Sequence, residues 1–301
     1  MSRAAWRSRL AFLAVLVLLA AGSPAMAASA ANRKAAKPSA NGAANAASSA
    51  TTGSRPISRG DHESPMIALT FDDAPHPEYV PRLLALFRAE NVKVTFFLVG
   101  EQLKLFPDVA RAIAADGHEI GNHSLNHRNL GRAGASLVET EIGGMQQLIK
   151  ETVATTPTLY RPPFGNTNSE AKRLCEREHL SIILWDVDTD DWRAATTREM
   201  IVRNVLDNAT SGSIVLFHAT HQKTVEAVSE LIPILRQRGL EFVTVSRLLQ
   251  DRALREEMRR FAPKKEPPSP TRWTPAGPER YRSEPAAPTT FSIQTPVLPT
   301  P

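Results

Sequence analysis

The strongest constraint on the fold is an alternation of two residue patterns between positions 65 and 250. Short runs rich in β-branched and aromatic residues ("MIALTF", "KVTFFLVG", "HEIGNHS", "TLYRPP", "SIILWDVDT", "GSIVLFHA" and "EFVTVS") read as strands. Between them lie "YVPRLLALFRAEN", "FPDVARAIAADG", "SLVETEIGGMQQLIKE", "NSEAKRLCEREHL", "TTREMIVRNVLDNA" and "KTVEAVSELIPILRQRG", most with apolar residues at helical spacing. Several start at Pro, Ser or Thr and stop at Gly or Asn, as helix ends do. About seven strand–helix repeats specify an α/β fold with a parallel sheet. Nearly all the strands are apolar on both faces, so the sheet is covered or closed. A (β/α) barrel of about seven strands is expected, with a doubly wound open sheet as the alternative.

In either fold functional groups gather at the strand C-terminal ends. Those ends carry Asp72 and Asp73, His123 and His127, Arg161, Asp188 and Asp191, and His218. Only the second and last strands lack an ionisable end. A barrel does not need charge there, so these residues predict one shared site.

The flanks differ from this core. Arg3, Arg7 and Arg9 precede the apolar run "LAFLAVLVLLAA", which ends near Ala25 and Ala27. This is the order of a Sec-type secretory signal peptide cut after Ala27, with an uncleaved anchor as the alternative. Export to the periplasm or outside the cell follows, without stable membrane insertion after cleavage. Residues 28–63, rich in Ala, Ser and Asn, read as a flexible linker. The region 251–301 reads as a short basic segment and a disordered tail, since 11 of the 23 prolines fall in the last 39 residues. The catalytic domain is expected over 64–250. There, 19 Lys plus Arg face 23 Asp plus Glu, although the whole chain is +5. The basic excess therefore lies outside the fold, which argues against a nucleic-acid partner. Cys175 is the only cysteine, so no internal disulfide is available, and it reads as a buried small hydrophobe.

His123 and His127, four apart in "HSLNH", would share one face of a helical turn. A carboxylate from the first strand end completes a set of two histidines and one acid. That set suits a divalent metal, zinc first, with cobalt, nickel or manganese compatible, and leaves positions for water and substrate. Of the adjacent aspartates, one can bind metal and the other can face the water, held ionised by Arg161. His218 suits a general acid with Asp191 as its partner. Asp186, Asp190 and His221 read as satisfied polar groups. His76 reads as a loop residue and Trp192 as a pocket wall.

The motifs "TFDD", "HSLNH", "RPPFG", "DTDDW" and "LFH" resemble, in order and spacing, those of the polysaccharide deacetylases, carbohydrate esterase family 4, also called the NodB homology domain. The resemblance runs from Ile67 to Leu249. It implies a distorted (β/α)7 barrel and metal-dependent removal of acetyl groups from N-acetylated glycans. By the same resemblance Asp72 is the general base, and Asp73, His123 and His127 are the metal ligands. Arg161 steadies Asp72, and the Phe164 backbone N–H contributes to an oxyanion hole. Asp191 tunes the acid His218, and Trp192 and Leu216 line the acetyl pocket. Ala74 stands where the family often has Gly, and Phe164 where it often has Tyr. Neither change removes a reacting group, so an active enzyme on an acetylated polysaccharide is expected. An O-acetyl esterase on xylan or another wall polysaccharide, and a non-catalytic envelope glycan-binding protein, are the competing readings. No HExxH motif is present to support a metalloprotease.

Overall fold

The computed structural model describes residues 55–261. The expected signal peptide, the linker up to residue 54 and the Pro-rich tail after 261 lie outside the described residues.

Eight strands form one sheet: β1 (Met66–Ala74), β2 (Thr95–Leu98), β3 (Glu119–Asn122), β4 (Leu159–Tyr160), β5 (Ser181–Ile182), β6 (Val187–Asp188), β7 (Ile214–His218) and β8 (Glu241–Phe242). Every pairing between them is parallel. The order is β5-β4-β3-β2-β1-β7-β6, with β8 joined to the start of β1. Along that path sheet neighbours are chain neighbours except at β1–β7, and the curved sheet stays open between its edge strands β5 and β6. This is the distorted (β/α)7 barrel and not the doubly wound sheet. Parallel strands need long crossovers, and the helical segments between the strands supply them.

β1 sits at the centre because it is apolar along nearly its whole length, and only Asp73 is less than buried. Phe71, near its end, packs against Phe87, Phe96 and Phe217 with ring centroids 5.3–5.4 Å apart. Burying each such ring contributes about 1.5–3 kcal/mol. The two aspartates that follow Phe71 therefore rise from one of the most firmly packed points of the core.

The structure corrects four expectations. "SIILWDVDT" is two strands, because Leu184 to Asp186 leave the ladder. Arg161 Nη2 takes the Leu184 carbonyl at 3.1 Å. The Asp186 carboxylate accepts from the Ile214 N–H at 2.7 Å and the Ser213 hydroxyl at 3.0 Å, the satisfied polar role expected of it. The linker expected over 28–63 ends earlier. Ile57 and Arg59 bridge to Ile183 and Ser213, and the Ile57 N–H and C=O pair with Ile182 and Leu184 at 2.9 and 2.7 Å. These residues satisfy backbone groups along the β5 edge and just before β7. The boundary at 250 falls inside a helix, Val245–Phe261, of which only Val245 and Leu248 are buried. So narrow an apolar stripe gives weak helical periodicity. Finally, "HSLNH" is not a turn of helix, for reasons given with the site. Among the described residues no helix is long and apolar enough to cross a membrane. Cys175 is buried, and burial pushes its thiol up to about 12.

Candidate active site

Side chains alternate along a strand, so adjacent aspartates should face opposite ways. A β-bulge changes that here. Phe71 pairs with Phe96 and Ala74 with Leu98, so β1 carries one extra residue between them. Asp73 takes the left-handed conformation, φ 61°, which Asp tolerates better than most residues. Ala74 is buried without a left-handed backbone, so the departure from Gly is accommodated. On the other side Asp72 is in register with His218 of β7, which sets these two groups side by side at the barrel mouth.

Asp72 is held from beneath. Arg161 Nη1 donates to Asp72 Oδ1 at 2.7 Å and to the Thr70 hydroxyl at 2.8 Å, and the guanidinium lies 4.1 Å over the Phe97 ring. Both members of this ion pair are buried. Burial alone pushes the Asp72 carboxyl up. The Arg161 charge, with lesser contributions from His123 and His218, reverses this and holds Asp72 below its usual range.

Asp73, His123 and His127 bring a carboxylate oxygen and two ring nitrogens within 4.8 Å of one another. The His123 Nδ1 lies 2.7 Å from the Arg161 carbonyl, which only accepts, so Nδ1 carries the proton. Nε2 is left with its lone pair facing Asp72 Oδ2 at 3.5 Å and Asp73 Oδ1 at 3.8 Å. The His127 Nε2 is 3.5 Å from Asp73 Oδ1. Burial and the neighbouring His123 keep His127 below its ordinary pKa, and so neutral. One acid and two imidazoles that each present Nε2 to it form a donor set that fits a divalent metal ion.

The two histidines converge without a helix. Ser124 and His127 both have positive φ, 69° and 51°. The Asn122 Oδ1 takes the Ser124 N–H at 2.8 Å, and Glu141 takes the N–H groups of Leu125 and Asn126 at 2.9 and 2.8 Å. It is the left-handed backbone at Ser124 and His127 that excludes a helical turn, and these bonds hold the loop in its place.

His218 stands opposite. Its Nδ1 is 2.7 Å from Asp191 Oδ1, and Asp191 Oδ2 accepts from the His218 N–H at 2.8 Å and the Thr224 hydroxyl at 2.6 Å. Burial opposes the charged imidazole. The hydrogen bond and charge of Asp191 outweigh it and push His218 up to about 9. Nδ1 is committed to Asp191, so Nε2–H is the free donor.

Phe164 is left-handed, φ 59°, with its ring exposed and edge-on to His127 at 4.8 Å. Leu216 is buried on β7, and Trp192 is about half exposed beneath Arg193. An open cleft of about 550 Å³ adjoins the triad, and neither Trp192 nor Leu216 lines it. Its walls include Asp73, His127, Gln102, Leu105, Phe106 and Thr220. His76 also faces the cleft while its Nδ1 accepts from the Glu78 and Tyr79 N–H groups, a turn-holding role. Asp190 pairs with Arg193. Sequence reasoning missed Thr70, Thr224, Asn122, Glu141 and the Leu105–Phe106 wall. Only Thr70 carried a signal, being two residues before Asp72 and so on the same strand face.

A family model described as polysaccharide deacetylase matches residues 59–180. A peptidoglycan-N-acetylglucosamine deacetylase of Bacillus cereus is 34% identical over 195 residues, which are 64% of this chain and 70% of that one. The chain belongs to the polysaccharide deacetylase family. It is an enzyme of that class by descent, with the possible metal site of Asp73, His123 and His127 at its mouth. A peptidoglycan-N-acetylmuramic acid deacetylase of Bacillus subtilis is 32% identical over 196 residues, 65% of this chain and 41% of that one. The crystal structure of a peptidoglycan N-acetylglucosamine deacetylase is 34% identical, with a TM-score of 0.62 over 64% of this chain and 92% of that one. A family 4 pseudoenzyme from Bacillus anthracis is also similar, 29% identical with a TM-score of 0.62 over 65% and 69% of the two chains.

Proposed function

We propose that this polysaccharide deacetylase hydrolyses the N-acetyl group of N-acetylglucosamine in a polysaccharide such as peptidoglycan or a chitin-like oligomer. Zinc is proposed as the metal, held by Asp73, His123 and His127. Similarity to a pseudoenzyme means that the fold alone does not carry activity. The supporting observation is one mouth with an Arg161-paired Asp72 beside the triad and an Asp191-paired His218 in register with it.

A divalent ion bound there supplies a Lewis acid for the acetyl oxygen and a lowered pKa for water. Asp72, kept ionised by Arg161, accepts the proton of the water that attacks the acetyl carbon. The Phe164 N–H is assigned to the developing oxyanion, where one such donor is worth about 3 kcal/mol. As the C–N bond breaks, His218 Nε2 gives its proton to the leaving amine, so acetate and a free amino sugar result. An amine anion is too poor a leaving group to depart unprotonated, whereas a sugar alkoxide needs the acid less. A His218 held near pKa 9 by Asp191 therefore favours amide over ester substrates.

The test is acetate release by the metal-reconstituted chain from peptidoglycan, chitooligosaccharides and acetylxylan. Release from the N-acetylated substrates is expected, lost on Asp72→Asn or His218→Ala. Release from acetylxylan alone would replace this reading with an O-acetyl esterase, and none from any would leave a glycan-binding protein. Export is part of the proposal, resting on the Arg-flanked apolar segment that ends at Ala27. N-terminal sequencing of the exported protein is expected to start at Ala28, and a start at Met1 or Ser2 would contradict cleavage.

A further inference from the structure

His123 and His127 are aimed in different ways. His123 is fixed through its ring, by the bond from Nδ1 to the Arg161 carbonyl. Among the described residues, neither ring nitrogen of His127 has a hydrogen-bond partner. Its ring rests edge-on against His123 and Phe164, 4.9 and 4.8 Å away, and is carried on a left-handed backbone that costs about 1–3 kcal/mol unless its surroundings hold it.

What holds it is Glu141. This residue is fully buried, although Glu139 and Thr140 just before it are exposed. Its Oε2 accepts from the Asn126 N–H at 2.8 Å and its Oε1 from the Asn126 Nδ2 at 2.8 Å. The Arg128 Nε approaches Oε1 at 3.5 Å. The main chain joins in, because the Glu141 carbonyl accepts from the Leu125 N–H at 2.9 Å. One residue thus grips 125, 126 and 128, on both sides of His127. It can do so because Glu139–Gly143 is a turn of π-helix within the segment 135–153. A π-turn widens the helix and lets a carbonyl bond outside it. On the far side the loop rests against Gly100, where even a Cβ would come within 2.8 Å of the Leu125 carbonyl. The loop is therefore closed in from both sides.

We infer that Glu141 is a positioning residue for the metal triad, acting through Asn126 on His127, and that it sets how tightly the triad holds its ion. The inference rests on the metal reading of Asp73, His123 and His127. Groups that orient metal ligands typically alter metal affinity by roughly 10–100-fold when removed.

The experiment measures cobalt affinity of the full chain by chelator competition, together with the visible spectrum of the cobalt form and the melting of the metal-free protein. The variants are Glu141→Ala, Glu141→Gln and Asn126→Ala. Glu141→Ala is expected to weaken cobalt binding roughly 10–100-fold and to alter the spectrum. Glu141→Gln keeps an acceptor for the Asn126 N–H and is expected to fall between it and the parent. If Glu141→Ala does not fold, Asn126→Ala carries the test, with a smaller loss in the same direction. A purely architectural Glu141 would lower the metal-free melt and leave cobalt affinity and spectrum unchanged in the folded variants, and that result overturns the inference. A parent chain that binds no cobalt overturns the metal reading itself, a different failure from variants that bind as the parent does.

Discussion

Asp191→Asn is the perturbation whose size can be worked most directly. In the folded protein Asp191 pushes His218 from its ordinary 6.5 to about 9, against burial. Removing that charge leaves burial opposed only by the Asp72 and Asp73 carboxylates, so the variant imidazole should titrate well below 9, with its ordinary 6.5 as the limit of the shift. The alkaline limb of kcat/KM for N-deacetylation should therefore move down by up to about 2.5 pH units, the whole rise from 6.5 to about 9. At pH 8 about nine-tenths of the parent His218 is protonated, against as little as about 3% in the variant, a loss of up to about 30-fold. At pH 6 both are mostly protonated and the gap should nearly close. Stability follows the same titration. A histidine whose folded pKa is raised contributes stability that is complete below its unfolded pKa and is lost as pH rises through the folded one. The parent should therefore lose on the order of 3 kcal/mol between pH 6.5 and about 9, while Asp191→Asn shows a clearly shallower profile there. The assays are initial rates of acetate release and thermal melts, both from pH 5 to 10. An alkaline limb at the same pH in both proteins would refute the assignment of Asp191 and of His218 as the acid.

Two further outcomes test the scaffold. Arg161→Met strands the buried Asp72 carboxylate and should cost about 3–5 kcal/mol. Adding Asp72→Asn should return most of that in a thermal melt, and a double variant no more stable than the single one would contradict the pairing. A fragment spanning 64–250 should be less stable than one spanning 55–261 by about 3 kcal/mol, because it loses three backbone bonds of Ile57 and Gly60 and all of the last helix beyond residue 250. Equal denaturation midpoints would show that the edge segment contributes nothing.

Much of this was legible in the sequence, and the part that was not has common causes. Strand–helix alternation and charged strand ends are local signals, and they located the barrel and brought Asp72, Asp73, His123, His127, Arg161, Asp191 and His218 to one mouth. The bulge at Asp73 was not legible, since the register shift depends on what β2 offers opposite Phe71 and Ala74. The shape of "HSLNH" was misread for a related reason. Four-residue spacing suggests a helix, but Ser124 and His127 are left-handed, in a loop held by Asn122 and by a glutamate 15 residues past Asn126. "SIILWDVDT" looked like one strand because nothing local shows that Arg161 will take the Leu184 carbonyl. The segment from Ile57 to Gly60 is polar enough to pass for linker, and it is ordered by backbone bonds, which sequence does not advertise. The cleft wall of Leu105 and Phe106 comes from a short helix that the strand–helix pattern hid.

The account turns on a metal-dependent N-deacetylation at the Asp73–His123–His127 triad. The direct measurement is acetate release from an N-acetylglucosamine oligomer by one preparation as isolated, after chelation with metal loss verified, and after zinc is returned. The account predicts loss of activity on chelation, recovery with zinc, and no recovery in Asp73→Ala or His127→Ala. Undiminished acetate release from the metal-free chain would contradict it.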